Sequence, residues 1–101
     1  MINEVLRLLR IFHGYKSIEL AKKIGISQSY LSEIENGKKD PSLEILKKYS
    51  ETFKIKVSTL LLFSEELEKD EEKSIKKDIG KKMIKLLQFL EKFGALNEEN
   101  I

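Results

Sequence analysis

The chain has no cysteine and no tryptophan, one histidine, one proline and five glycines in 101 residues. Without cysteine there is no disulfide, no thiolate metal site and no cysteine nucleophile, in keeping with a reducing compartment. A single histidine cannot build a histidine-based metal cluster, and His13 has no partner with which to perform acid–base catalysis. So few prolines and glycines leave too few turn signals for an all-β fold. Long apolar runs are missing too: none approaches the roughly 18 residues of a membrane span. The N-terminal stretch MINEVLRLLRIF holds Glu4 and two arginines within its apolar residues, unlike a signal peptide. There is no glycine-rich phosphate loop, no paired acids in an apolar pattern and no nucleophile beside a base. These absences make an enzyme the weakest reading and predict a soluble, cytoplasmic protein without cofactor or membrane association.

What is present points to helices. Charged residues make up 36% and hydrophobic residues 41%, a mixture of strong helix formers that fits one compact all-α domain with an appendage. The net charge is only +2, but its distribution is uneven. Residues 1–63 carry 11 Lys+Arg against 7 Asp+Glu, whereas residues 64–101 carry 8 against 10, so the N-terminal part is the better anion binder.

Ile2, Leu6 and Leu9 recur at helical spacing, with a second stripe of Val5, Leu8 and Phe12, and Gly14 can end this first helix in a left-handed conformation. Residues 17–24 predict a short helix burying Ile18, Leu20, Ala21 and Ile24, followed at once by Gly25, suited to a tight turn. Ser27 is placed to cap a third helix that buries Leu31 and Ile34 and stops at Asn36-Gly37. Pro41-Ser42 signals a fourth, with Leu43, Leu46 and Phe53 inward, and residues 57–63 a short, largely buried fifth. The charged stretch 64–73 is expected as a solvated hinge or an exposed helical turn, linking a domain at 1–63 to a C-terminal helix at 74–101. In that helix Ile75, Ile79, Met83, Leu86, Leu90 and Phe93 form a seam, widened by Ile84, Leu87 and Phe89. The polar face left over is narrow: Lys81, Lys85, Gln88 and Lys92. Such a helix serves as a lid on the first helix, as an oligomer interface (Ile79, Met83, Leu86, Leu87, Leu90, Phe93) or as a protein-docking site. Packing and oligomerisation acting together are expected, and Gly80 allows a kink or close crossing.

The most informative stretch is SIELAKKIGISQSYLSEIEN, residues 17–36. Two helices joined by a sharp turn need small contact residues and a permissive turn residue, which Ala21 and Gly25 supply. The spacing of Ala21, Gly25, Leu31 and Ile34, followed by Glu35-Asn36-Gly37-Lys38 and Pro41-Ser42-Leu43, resembles the Cro/C1-type (XRE) helix-turn-helix family of phage and bacterial repressors over residues 2–63. The resemblance implies a five-helix lambda repressor-like domain that places the helix at 27–36 in the major groove of double-stranded DNA. Gln28, Ser29, Ser32 and Glu33 would then reach base edges, Gln28 suiting adenine and Glu33 the cytosine amino group. Tyr30 would touch a phosphate or a thymine methyl. Lys16, Ser17, Asn36, Lys38, Lys39 and Ser42 would anchor the backbone, helped by N–H groups at the starts of the second and fourth helices.

The family commonly carries Thr-Gln or a similar pair where this chain has Lys16-Ser17, and Ser17 is expected to be too short to brace Gln28. The resemblance also implies a structural salt bridge between Arg10 and Glu35. His13 reads as a surface or capping residue, and Lys47, Lys48, Lys54 and Lys56 as a solvated face. The function implied is a transcriptional regulator, commonly a repressor, that binds an inverted-repeat operator as a homodimer or higher symmetric oligomer. A signal would act through a regulatory protein partner or proteolysis. Alternatives are an antitoxin or restriction-modification controller of the same fold, or a protein-binding adaptor in which the C-terminal helix captures the partner.

Overall fold

The computed structural model describes residues 2–72 and 79–93, and these form helices α1 (Ile2–Phe12), α2 (Ser17–Ile24), α3 (Gln28–Glu35), α4 (Leu43–Phe53), α5 (Val57–Glu72) and α6 (Ile79–Lys92). No strand occurs among the described residues, so the chain is all-α.

Local chemistry explains most boundaries. The Ser27 hydroxyl accepts from the Tyr30 N–H at 3.1 Å and the Ser42 hydroxyl from the Ile45 N–H at 3.2 Å, each satisfying a donor that the first turn of a helix leaves open. Gly25 ends α2 at φ +78°, in the left-handed region that side chains disfavour. Gly37 at φ +79° turns the chain out of α3, and a methyl group there would stand 3.2 Å from Asn3 Nδ2. At the end of α4, Lys54 takes the same backbone region with φ 56°, where glycine is the usual residue.

One core joins all six helices. Val5, Leu6, Leu8 and Leu9 of α1 are buried, and α1 packs against α3, α5 and α6. The core continues through Leu20, Ala21, Ile24, Leu31, Ile34, Ile45, Leu46, Tyr49, Phe53, Leu60 and Phe63. Each large apolar side chain so buried contributes about 1.5–3 kcal/mol.

Several expectations change. Ile18 and Leu43 are 51% and 59% exposed; at 3.6 residues per turn each lies roughly 110° from the centre of its helix's buried stripe. Tyr49 and Ile45 complete the α4 stripe instead. The fifth helix is not short: α5 continues to Glu72, so the charged stretch up to that residue is helical rather than a hinge, with Ser64 and Leu67 buried. Leu67 supplies the reason, extending the row of Leu60 and Phe63 by one more turn. On its outer face Leu61 and Leu62 are exposed, so the helix is less buried than expected. Residue 73 and Ile75 lie outside the described residues.

Helix α6 packs against α1 and α5. Leu86 and Leu90 are 1% and 2% exposed and belong to the common core. They are therefore committed within the chain rather than presented to a second copy, unlike Ile79, Leu87 and Phe93, which are exposed, and Met83, which is half-buried. Phe89 stacks obliquely between Phe63 of α5 and Phe93, with centroids 5.1 and 4.6 Å apart. The apolar seam carries one charge: Lys82, on the buried row of Leu86 and Leu90, turns inward and pairs with Glu4 of α1.

Candidate nucleic-acid interface

Helix α3 has two unlike sides. Leu31, Ile34 and Glu35 are buried, while Gln28 and Ser29 in the first turn are exposed and Ser32 and Glu33 half-exposed. The Ser27 cap holds the N-terminal turn, so the exposed side chains start from a rigid backbone.

Gln28 is held as well. Its Nε2 donates to Ser17 Oγ at 3.0 Å, linking the first residue of α3 to the first residue of α2. This corrects the expectation that Ser17 is too short: the helices approach closely enough for a hydroxyl to do what a longer side chain would otherwise do. A carboxamide has two N–H groups and one oxygen. With one N–H on Ser17, the other N–H and the oxygen suffice for adenine N7 and N6.

Around this face lie the groups expected at phosphates. Lys16 and Ser17 begin α2, Asn36 and Lys38 are exposed after α3, and Ser42 is exposed before α4. The Ser42 oxygen already accepts from Ile45, which leaves its O–H as the group for a phosphate. At α2 the Lys16 N–H is taken at 2.8 Å by Glu19 Oε1, so a carboxylate partly offsets the positive end of that helix. Lys39 reaches back to Glu33 at 3.6 Å and over the half-buried Tyr30 ring at 5.6 Å.

Behind the exposed face is a polar cluster. Arg10 Nε donates to both oxygens of Glu35, at 2.9 and 3.2 Å, and its Nη1 donates to the Tyr15 carbonyl at 3.0 Å. Tyr49, absent from the expected set, donates its hydroxyl to Glu35 Oε2 at 3.0 Å. Burial first, and then the negative charge of Glu35, push the Tyr49 hydroxyl well above its usual range. An acid whose proton is held more tightly in the folded state stabilises that state below its unfolded value and loses the contribution as pH rises. Stability should therefore fall above about pH 10, by up to roughly 1.4 kcal/mol per pH unit from this group. Urea midpoints from pH 9 to 11 should show a shallower fall for Tyr49→Phe; identical slopes would count against the coupling.

Two further residues position the motif without a clear sequence signal. Lys48, expected on a solvated face, donates to the Ile24 carbonyl at 2.9 Å and closes the C-terminus of α2 beside the turn. Asn3 Nδ2 donates to the Glu35 carbonyl at 3.4 Å. His13 keeps a local role: its Nδ1 donates to the Leu9 carbonyl at 2.8 Å, and its ring lies 4.5 Å from that of Phe53.

Two helices joined by a tight glycine turn, the second exposing a polar first turn, define a helix-turn-helix domain. The helix-turn-helix family model matches residues 6–60, more than half of the chain. The chain belongs to the Cro/C1-type helix-turn-helix family. It is similar to the HTH-type transcriptional regulators SlrR and SinR of Bacillus subtilis, 43% and 41% identical over 61 and 71 residues. Those stretches cover 59% and 69% of this chain but only 40% and 64% of the relatives. The immunity repressor protein of Bacillus phage phi105 is 30% identical over 100 residues, 95% of this chain and 69% of that protein. The chain thus spans less than two thirds of the length of SlrR and SinR. No solved structure matches it. Among the described residues no helix is long and apolar enough to cross a membrane.

Proposed function

We propose that this chain is a cytoplasmic, sequence-specific DNA-binding transcriptional regulator that acts as a repressor by occupying an inverted-repeat operator as a dimer. The observation that carries the reading is the exposed first turn of α3, with Gln28 pinned on Ser17 and Ser29 beside it, on a helix whose opposite side is core. A side chain fixed before binding loses less freedom on reaching a base. In this reading Gln28, Ser29, Ser32 and Glu33 face bases, and Lys16, Ser17, Tyr30, Asn36, Lys38, Lys39 and Ser42 face phosphates. Two copies would set their α3 helices about one DNA turn, ~34 Å, apart. Exposed Ile79, Leu87 and Phe93 of α6 are the part of the expected oligomer surface still available for pairing. Similarity to a protein named as an immunity repressor supports repression over activation.

The test is selection from a random duplex library, with the Gln28→Ala/Ser29→Ala double variant in parallel. A two-fold symmetric motif is expected, and the variant should lose about 1–3 kcal/mol of discrimination for each bidentate contact removed while keeping its weak, salt-sensitive binding. A single unrepeated motif would remove the dimer. No motif at low salt would shift the assignment to a protein-binding adaptor, for which the exposed apolar residues of α6 would then be the docking face.

A further inference from the structure

One side chain on the DNA-reading face conflicts with simple electrostatics. Glu33 is a carboxylate on the helix that would lie between two rows of phosphates, where an unpaired negative charge is repelled. In the structure it is paired: Lys39 Nζ lies 3.6 Å from Glu33 Oε1, and the same ammonium sits 5.6 Å from the centre of the Tyr30 ring, whose face attracts a cation. The backbone enforces this placement. The N–H groups of Lys38 and Lys39 both donate to the Glu33 carbonyl, at 2.9 and 3.2 Å, so the loop after α3 folds back over the last turn and delivers Lys39 there. The two side chains are 54% and 39% exposed, which makes the pair weak, screened by salt and easily exchanged.

We propose that Glu33 and Lys39 form an exchange pair that makes one phosphate contact conditional on the base beneath Glu33; this rests on α3 being the recognition helix. In the free protein and on non-cognate DNA, Lys39 neutralises Glu33 and is withheld from the DNA backbone. Over a cytosine, the N4 amino group donates to the Glu33 carboxylate, and Lys39 is released to neutralise a phosphate. Guanine and thymine present no donor in the major groove, and adenine sets its N7 lone pair beside its one amino group, where it repels a carboxylate, so over these bases Lys39 stays. Glu33 thereby reads cytosine twice, through its own hydrogen bond and through the phosphate contact it permits. Lys38, exposed and without an ion pair among the described residues, is the matching unconditional lysine.

The experiment compares the salt dependence of binding by the full chain on the selected motif and on random duplex, each neutralised phosphate adding about 0.9 to the slope of log affinity against log salt. Glu33→Gln/Lys39→Gln, which removes the pair without leaving a bare carboxylate, should lower the slope by about 0.9 on the motif and leave random duplex unchanged. Glu33→Gln should raise the slope on random duplex by about the same amount and relax one cytosine position, whereas Lys38→Gln should lower both slopes equally. Unchanged thermal midpoints check that all three variants fold. If Glu33→Gln/Lys39→Gln lowers both slopes alike, or Glu33→Gln leaves slopes and base preference untouched, the exchange is overturned while recognition by α3 stands. If the unmodified chain selects no motif at all, the recognition reading fails first and the exchange with it.

Discussion

Arg10→Met is expected to destabilise the fold by about 3–5 kcal/mol, a large share of the stability a domain of this size possesses. Glu35 is 5% exposed, and its two oxygens receive Arg10 and the Tyr49 hydroxyl. Removing the guanidinium leaves a buried carboxylate with one neutral donor, and the cost is that of desolvating an unpaired charge rather than that of losing one contact. The triple variant Arg10→Met/Glu35→Leu/Tyr49→Phe removes charge, counter-charge and the orphaned hydroxyl together, and should recover much of the loss. Urea denaturation of the single and triple variants checks this. A triple variant no more stable than the single one would mean that mutual attraction within the cluster, not desolvation, dominates.

The pair between Glu4 and Lys82 predicts an asymmetry. Lys82 is 5% exposed, whereas the Glu4 side chain retains 24% of its exposure and can be hydrated. Glu4→Leu strands a buried ammonium and should cost about 3–5 kcal/mol, or less if α6 gives up its packing on α1 first. Lys82→Met leaves a carboxylate within reach of water and puts a flexible apolar side chain into the α1–α6 contact, so the expected cost is about 1 kcal/mol or less. Denaturation midpoints give the totals. Amide exchange tells whether α6 opens before α1–α5, as it should in Glu4→Leu. Equal losses in the two variants would show that burial of Lys82 is not what sets the cost.

The two pairs differ in how far the sequence reveals them. The Arg10–Glu35 bridge came from the family resemblance, a register of Ala21, Gly25, Leu31 and Ile34 with Glu35-Asn36-Gly37 behind it; no local spacing links residues 25 apart. The Glu4–Lys82 bridge spans 78 residues and has no such guide. A faint signal existed, since Lys82 stands four residues before Leu86 and eight before Leu90, on the row that is buried. A lysine on that row calls for an internal partner, but which one depends on where α6 docks.

Ser17 and Lys48 make the same point at the candidate site. Side-chain length argued that Ser17 could not brace Gln28, and composition placed Lys48 in solvent. Their contacts at 3.0 and 2.9 Å arise because α2 approaches α3 and α4 closely at those points. Periodicity gives the direction of a side chain around its own helix, not its distance from the next helix.

The sequence by itself determined the class of fold, the family, the turn at Gly25, the caps at Ser27 and Ser42 and the polar first turn of α3. These signals act within one or two helical turns, through hydrogen bonds and φ preferences that need no distant partner. Only the tertiary structure decided that α5 runs on to Glu72, that Leu86 and Leu90 are spent on the chain's own core, and that Gln28 is held by Ser17. A charged stretch looks solvated until one leucine row finds a surface to cover, and a polar side chain looks free until another helix brings a partner within 3.0 Å of it. Both outcomes depend on packing between segments far apart in the chain, which local pattern does not encode.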